Sequence, residues 1–309
     1  MALTWRPATL ADVPALTVLA NAAIEADGTG RPISEAAVAE QLEAPRFDPA
    51  TDSVTVWEAG DLVAAGTVWA GSEPVAGHAL TSIGGDVHPA YRRRGIGREL
   101  LARLERRGIE LAGVRHPGLP IRLRSAGGTP DSPTQRLLEH AGYRPDNYFI
   151  TMEVDLPAWE DPGHPSAAVA IDPEALLATR EAHNDAFRDH RNSSAIPEDV
   201  WVHWMGSGAS RPDMGRVVLD DDRRVLAYAL VGEHQPGVAH VELLGTRREA
   251  RGRGLARQVL LGTLRAAREA GYAVAELEVD STSPTGADRL YATVGFLPVR
   301  TISRYQRSV

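Results

Sequence analysis

The chain reads Val87-His88-Pro89-Ala90-Tyr91-Arg92-Arg93-Arg94-Gly95-Ile96-Gly97 and, much later, Thr246-Arg247-Arg248-Glu249-Ala250-Arg251-Gly252-Arg253-Gly254-Leu255-Ala256. The two stretches align without a gap, and a second similar pair follows them at residues 137–143 and 290–296. Similarity repeated along a chain is typical of a duplicated unit. Between the copies, residues 157–165 hold the Pro and Gly that interrupt regular structure. We therefore expect one domain over residues 1–157 and a second over residues 166–309.

Composition bounds both the class of protein and its chemistry. The 309 residues suit two domains, and 43% hydrophobic with 24% charged residues is ordinary for a globular protein. The sequence contains neither cysteine nor lysine, so all 33 basic residues are arginine. Disulfides, thiolate metal sites and cysteine nucleophiles are thereby excluded, as are lysine-dependent phosphate loops and Schiff bases. We expect no metal site.

Charge and hydropathy indicate the partners. A net charge of −8 argues against nucleic acid and anionic membranes, whereas the arginines of the two repeated stretches form local positive patches suited to a small polyanion. No apolar run approaches the ~18 residues of a membrane span. Residues 10–23 are interrupted by Asp12 and Pro14, so they predict an amphipathic helix rather than a signal peptide. We expect a cytoplasmic protein, monomeric or homodimeric.

Each repeated stretch predicts a strand, a turn and a helix. Hydrophobic periodicity places strands at about residues 80–87 and 239–244, and helices at about 95–110 and 254–270. Such a turn presents unpaired backbone N–H groups and a positive helix end to an anion, and its glycines let phosphate approach. The rival is a dinucleotide-binding turn, whose third glycine would fall at Leu100 or Val259.

These motifs resemble those of a known family. Arg92-x-x-Gly95-x-Gly97 and Arg251-x-x-Gly254-x-Ala256 are similar to the acetyl-CoA pyrophosphate motif of the GNAT superfamily of N-acetyltransferases, and Leu290-Tyr291-x-x-x-Gly295-Phe296 is similar to its closing signature. The resemblance implies an α/β (α+β) fold of two tandem GNAT-like domains. Each would hold a mixed, mostly antiparallel central sheet flanked by helices, with a V-shaped opening between two parallel strands. The two-domain arrangement also resembles that of mycothiol synthase.

The resemblance implies acetyl-CoA (coenzyme A) as the cofactor. The residues expected to bind it are Leu244, Thr246, Arg251, Gly252, Arg253, Gly254, Leu255 and Ala256 in the second copy, and Val87, Arg92, Arg93, Arg94, Gly95, Ile96 and Gly97 in the first. In these regions the sequence differs from the usual family pattern in three ways. Thr246 replaces the usual valine, Arg93 replaces a common glycine, and the run Gly84–Asp86 is expected to distort the central strand of the first copy.

Amide formation needs a base for the amine and an acid for the leaving thiolate. The period of two places His240 and Glu242 on one face of their strand, and the resemblance implies a base at these positions and an acid at Tyr291. By gap-free alignment, the first copy has Thr81, Ile83 and Leu138 there instead. We therefore expect the domain at 166–309 to be catalytic and the domain at 1–157 to be degenerate, either structural or binding acetyl-CoA without turnover.

The acceptor wall is expected in the first helices of the second copy. The candidate substrate-binding residues are Asp185, Phe187, Trp201 and Trp204. The aromatic residues among 189–205 could equally be core. Carboxylates near the pocket suit a cationic small-molecule amine.

The leading interpretation is an acetyl-CoA-dependent N-acetyltransferase acting on a primary amine by direct attack, and the alternatives are an acyl-CoA-binding pseudoenzyme or sensor and a mycothiol synthase-like acetyltransferase. The segment 280–284 lacks the asparagine of many tandem relatives.

Overall fold

The computed structural model describes residues 2–188, 194–281 and 287–309. The chain divides into unit 1, Met1–Tyr148 with Thr301–Val309, and unit 2, Phe149–Arg300. This differs from the predicted ranges 1–157 and 166–309 in one respect. The strand that ends each half of the sequence is built into the other unit, because backbone pairing rather than chain order decides where a strand belongs.

Unit 1 is a sheet covered by helices. Its strands are β1 (Thr4–Arg6), β2 (Ser53–Glu58), β3 (Asp61–Ala70), β4 (Ala79–Val87), β5 (Ile121–Gly128) and the end of β12 (Leu297–Ser308), hydrogen-bonded in that order. Its helices are α1 (Val13–Asp27), α2 (Glu35–Leu42), α3 (Pro49–Asp52), α4 (Ile96–Arg115) and α5 (Pro133–His140). Only β4 and β5 pair in parallel among these strands. Leucines of α4 pack over Ile83 and Leu123 in the core.

Unit 2 repeats this plan. Its strands are the end of β6 (Arg144–Asp155), β11 (Val274–Asp280), β10 (Val238–Thr246), β9 (Val225–Gln235), β8 (Arg216–Leu219) and β7 (Val169–Ala170), in that order. Its helices are α6 (Pro173–Ala186), α7 (Glu198–Met205), α8 (Leu255–Glu269) and α9 (Ala287–Thr293). The parallel pair is β10 with β11. The predicted mixed, mostly antiparallel sheet flanked by helices is confirmed in both units.

The duplication extends to a loop contact that the motifs do not include. Asn21 Oδ1 accepts the backbone N–H of Ile33 at 2.8 Å, and its Nδ2 donates to the carbonyl of Ile33 at 3.0 Å. Asn184 makes the same two bonds with Ile196, at 2.8 and 3.3 Å. These contacts align α1 and α2 of unit 1 with α6 and α7 of unit 2, residue by residue.

The expected distortion of β4 is not found. The β3–β4 register runs without a shift from Ala64 opposite Val87 to Ala70 opposite Thr81, through the run Gly84–Asp86. Gly85 is needed because an added Cβ would lie 2.5 Å from the carbonyl oxygen of Ala65. The short elements β1, α3 and β7 were not predicted. Among the described residues, no helix combines the length and apolar character that crossing a bilayer requires.

Replacing Tyr305 should destabilise unit 1. Its side chain is 2% exposed in the unit 1 core, and its hydroxyl donates to Glu139 Oε1 at 2.8 Å. We expect Tyr305→Ala to cost about 3–5 kcal/mol of unfolding free energy. Hydrogen exchange should rise in β5, with β9 unchanged, and Tyr305→Phe is the matched control. Faster exchange in β9 alone would contradict the assignment of β12 to unit 1.

Candidate functional site

The turn between β10 and α8 forms an open anion cradle. Gly252 and Gly254 adopt left-handed φ angles of 75° and 72°, and an added Cβ at either would meet nothing within 4 Å. The amides of the first turn of α8, from Leu255 and Ala256 onward, face this space without helical partners. The side chain of Leu255 itself is buried, so its backbone N–H is the group available. Within the described ranges, the buried Thr246 Oγ1 also lacks a hydrogen-bond partner.

Two arginines of this turn, Arg251 and Arg253, are not neutralised by a carboxylate of the described residues. Arg251 Nη2 donates to the carbonyl of Ala186 at 2.7 Å, which positions the guanidinium without neutralising it. Arg253 enters no ion pair with any residue that the structure describes. These features fit the pyrophosphate of an acyl-CoA, which is a compact dianion recognised by backbone N–H groups and arginine.

The corresponding turn of unit 1 is more nearly neutral. Arg92 makes a bidentate pair with Asp27 at 2.7 and 2.8 Å, and Arg94 makes another with Glu58 at 2.9 and 2.6 Å. Arg93 is held at a φ of 66°, a left-handed angle that is unfavourable for a side chain. Val87 and Ile96 pack into the core, and Gly95 keeps a left-handed φ of 81°. Unit 1 therefore offers a phosphate less free positive charge.

Strand β10 is irregular at Glu242, one of the predicted catalytic residues. Its register with β9 runs from Val241 opposite Val231 directly to Leu243 opposite Leu230. Glu242 is the extra residue of this β-bulge, a device that redirects a side chain. The parallel register with β11 covers only Val238–Val241, although both strands continue. The strands thus separate where Glu242 and Leu244 lie, as the predicted opening requires.

A cluster of histidines and carboxylates surrounds the bulge. His234 Nε2 donates to Glu242 Oε1, and the rings of His234 and His240 are 6.1 Å apart. His240 Nδ1 donates to Glu276 Oε1 at 3.1 Å, while Arg300 Nη2 lies 3.8 Å from Glu276 Oε2. Because Glu276 accepts from Nδ1, the other ring nitrogen of neutral His240 is left with a lone pair.

The environment moves these pKa values in opposite directions. Burial lowers the pKa of His240, but the hydrogen bond to Glu276 and the charges of Glu242, Glu276 and Glu278 outweigh it, so the net pKa is raised. Burial raises the pKa of Glu242, but the hydrogen bond from His234 and the charge of His240 reverse this, so the net pKa is lowered. Glu242 is consequently ionised at neutral pH, with its side chain 34% exposed.

Tyr291 is the third predicted catalytic residue. It is 9% exposed on α9 and packs edge-on against Phe296 with ring centroids 6.1 Å apart. Burial raises the pKa of Tyr291 to about 12, so its phenol keeps its proton at neutral pH. Its counterpart Leu138 is a buried core residue.

The bulge also changes which residues of the two units correspond. Thr81 donates to the carbonyl of Gly108 in α4, and Ile83 packs on α4, so both face that helix. His240 lies on the opposite face, because its neighbours Ala239 and Val241 pack in the core with α8. The prediction that paired Thr81 and Ile83 with His240 and Glu242 was therefore wrong by one residue.

The correct partner of His240 is Ser82, and Glu242 has none. One acid of unit 1 does lie on this face, Asp86, which the sequence comparison missed because it aligns with Gly245. His234 and Glu276 were also missed. Glu276 had a detectable signal, since it lies on a predicted strand that runs parallel to the strand of His240 and is directly opposite it.

The four predicted acceptor residues lie in different surroundings and do not form one pocket wall. Asp185 Oδ2 accepts the backbone N–H of Arg248 at 3.2 Å, so it supports the turn before α8. Phe187 stacks on His183 with centroids 4.5 Å apart. Trp201 is 1% exposed and donates to the carbonyl of Leu176, which makes it core rather than pocket wall, and Trp204 is 43% exposed. Residues 189–193 of the expected wall and 282–284 of the departing segment lie outside the described residues.

Comparisons with known proteins agree with this geometry. The model of the acetyltransferase (GNAT) family matches residues 20–123 and 176–296. A mycothiol acetyltransferase of Geodermatophilus obscurus is 30% identical, over 93% of this chain and 91% of its own length, and one of Kineococcus radiotolerans is 30% identical over 88% and 92%. A GCN5-related N-acetyltransferase structure from Sphaerobacter thermophilus has a TM-score of 0.79 at 25% identity, covering 99% of this chain and 95% of that one. A tandem GNAT protein from the clavulanic acid biosynthesis pathway shares the fold, with a TM-score of 0.70 at 20% identity over 99% and 98%.

Removing the charge of Glu276 should lower the pKa of His240. Glu276→Gln keeps an acceptor for Nδ1 but loses the negative charge that helps to raise this pKa. A ring-proton NMR titration of His240 measures it. Glu278→Gln is the matched control, since Glu278 contributes only through space, and it should give a smaller decrease. An unchanged His240 pKa in Glu276→Gln would refute the coupling.

Proposed function

This chain belongs to the GNAT family of acetyltransferases and is an acyl-CoA-dependent N-acetyltransferase, and we propose that unit 2 transfers an acetyl group from acetyl-CoA to the primary amine of a small molecule. The observation that carries the proposal is the bulge at Glu242, beside His240. It supplies two proton acceptors where β10 and β11 separate, and unit 1 has no counterpart of Glu242.

We assign coenzyme binding to the open turn of unit 2. The backbone from Gly252 to Ala256 would hold the pyrophosphate, with Arg251 and Arg253 as its positive partners. A backbone N–H near Leu244, where the strands separate, would polarise the thioester carbonyl. Acetyl-CoA supplies the activated acyl carbon, and the residues around the bulge supply the proton transfers.

The pKa directions suggest how the two acceptors divide their work. Glu242 is ionised and attracts the ammonium group of the acceptor, which favours a cationic substrate. His240 has a pKa above its usual value, which makes its free ring nitrogen a stronger proton acceptor and suits it to the role of general base. Its free ring nitrogen takes a proton from the amine, and Glu276 positions the ring. Tyr291 then donates a proton to the departing thiolate.

Unit 1 is proposed to lack this turnover. It has Ser82 in place of His240 and Leu138 in place of Tyr291. Two of the three arginines in its turn are paired with carboxylates, Arg92 with Asp27 and Arg94 with Glu58. A coenzyme bound there would therefore meet neither the corresponding base nor the corresponding acid.

A second candidate concerns the acceptor. Two relatives that are 30% identical over most of their length are named mycothiol acetyltransferases. This favours the amine of mycothiol that lacks its acetyl group as a specific acceptor to test. That compound carries its own thiol, so its acetylation should be followed by mass rather than by thiol release.

Tyr291→Phe should lower kcat by about 10²-fold or more with little change in the KM for acetyl-CoA, because it removes the proton donor but keeps the ring. Turnover is measured as coenzyme A thiol released against a panel of small primary amines. The chain has no cysteine, so the protein adds no background to a thiol reagent. Tyr272→Phe is the matched control, since its hydroxyl bonds Glu233, which pairs with Arg211 rather than with the residues of the bulge. Full kcat in Tyr291→Phe would reject the acid role.

A pair of matched glycine variants tests which unit is active. Gly254 and Gly95 precede α8 and α4 with φ angles of 72° and 81°, and each has open space above it. Valine at either position costs about 1–3 kcal/mol of backbone strain and shifts the turn. We expect Gly254→Val to abolish turnover and weaken acetyl-CoA binding in calorimetry, and Gly95→Val to retain turnover. The reverse pattern would move the active site to unit 1.

A further inference from the structure

Unit 1 contains a cavity of about 270 Å³ on the α1 side of its sheet. Its walls are mostly apolar and come from α1, α2, β2 and β3, with Leu16, Leu19 and Leu42 among them. The run Gly84–Asp86 of β4 forms one edge. The same three residues line the larger cavity of about 610 Å³ next to the arginine turn. Gly84–Asp86 therefore border both cavities.

The cavity exists because small residues replace large ones. The Asn21 and Asn184 contacts align Ala20 with His183 and Val38 with Trp201. Ala65 aligns with Tyr228 because they pair with Asp86 and Gly245, which hold the same place before the arginine turn. In unit 2 these aromatic side chains fill the equivalent space. The Tyr228 hydroxyl lies 2.7 Å from His183 Nδ1, and the rings of His183 and Trp201 are 5.8 Å apart. In unit 1, Ala20, Val38 and Ala65 all line the cavity.

The two units also differ in charge at the edge of this space. Asp86 pairs with Ala65 in the sheet, and Gly245 pairs with Tyr228 at the equivalent place in unit 2. An added Cβ at Gly245 would lie 2.5 Å from the Tyr228 hydroxyl, so unit 2 cannot hold an acid there. Unit 1 thus has a cavity and a carboxylate where unit 2 has an aromatic core. Among the described residues, Asp86 forms no ion pair or hydrogen bond.

On the side of the smaller cavity the charges around Asp86 favour a cation, whereas the larger cavity that Asp86 also lines holds Arg93, Arg98 and Arg136. Two charged neighbours influence it, Asp27 at the end of α1 and Arg92 after β4. They are bonded to each other by a bidentate pair, so Arg92 is already neutralised. The other elements that line the smaller cavity contribute no charged side chain. Burial and the nearby charge of Asp27 raise the pKa of Asp86 and Arg92 lowers it, which leaves it at about 6.

We propose that unit 1 binds a small primary amine with a compact apolar group, whose ammonium pairs with Asp86 and whose apolar part fills the cavity behind it. The volume limits the ligand to a small molecule, since drug-sized pockets run from about 300 to 1,000 Å³. Its position beside the arginine turn places the amine next to any acyl-CoA held in the larger cavity. This site is separate from the amine site proposed for unit 2.

Ligand binding in the full chain tests the proposal, with phenethylamine as the probe. Its affinity is measured by calorimetry and ligand-observed NMR at pH 7. The neutral isostere 2-phenylethanol and the anion 3-phenylpropionate are the matched ligands. Asp86→Asn removes the charge at constant shape. Glu242→Gln is the matched variant in unit 2, and it separates binding at that site from binding at Asp86.

We expect phenethylamine to bind the wild type and Glu242→Gln alike, and Asp86→Asn at least tenfold more weakly. Wild-type binding should be about tenfold weaker at pH 5 than at pH 7, because Asp86 with a pKa of about 6 is then mostly protonated. The pair Ala65→Tyr with Asp86→Gly fills the part of the cavity that Tyr228 occupies in unit 2, removes the carboxylate and should abolish binding.

Three outcomes would overturn the proposal. They are absence of phenethylamine binding to the wild type, equal binding of 2-phenylethanol, and loss of binding in Glu242→Gln rather than in Asp86→Asn. The second would mean that the cavity binds an uncharged apolar group, and the third would mean that phenethylamine binds in unit 2 and not at Asp86. Acetyl transfer by unit 2 can fail or succeed in each case, so this test is independent of the proposed function.

Discussion

The short parallel ladder between two central strands is the constraint on which the rest of each unit depends. In unit 2, β10 and β11 pair through four residues and then separate, and β4 and β5 do the same in unit 1. Past that point the facing edges lack ladder partners, and buried backbone polar groups need hydrogen-bond partners. The opening is thus a place for another extended, hydrogen-bonding group. The turn that follows β10 or β4 then lies at the end of the same opening, so coenzyme phosphates and reactive carbon can be held by one continuous backbone segment.

The two units share one backbone arrangement but differ in a central strand and in the packing beside it. Unit 2 has one extra residue in its central strand, and that residue is Glu242. Unit 1 keeps a regular strand and has exchanged an aromatic core for Ala20, Val38 and Ala65. The first change adds a carboxylate where the strands separate and alters the surrounding ladder only by one bulge. The second adds volume, and Asp86 occupies an edge that Tyr228 closes in unit 2.

Much of the fold could be predicted from the sequence, because its signals are local. The glycine turn, the alternating strands and the heptad-like apolar spacing of α4 and α8 each depend on neighbours in the chain. The candidate catalytic residues His240, Glu242 and Tyr291 could be proposed as well, because of the resemblance to a known family. The bulge could not be predicted, because an extra residue in one strand is recognised only from its pairing register with the neighbouring strand. For that reason Thr81 and Ile83 were compared with the wrong positions and Asp86 was overlooked. The role of Trp201 was ambiguous, because an aromatic helix face has the same sequence pattern whether it contacts a ligand or the core.

The exchange of terminal strands bears on how the chain acquires its structure during synthesis. Residues 301–309 belong to unit 1 but follow all of unit 2 in the sequence. When the first 148 residues have emerged from a ribosome, β5 still lacks the strand that will pair with Ser125 and its neighbours, and an unpaired strand edge invites wrong partners. Unit 2 can complete its sheet earlier, since β6 is already present when β11 is made. The order of completion is therefore the reverse of the order of translation.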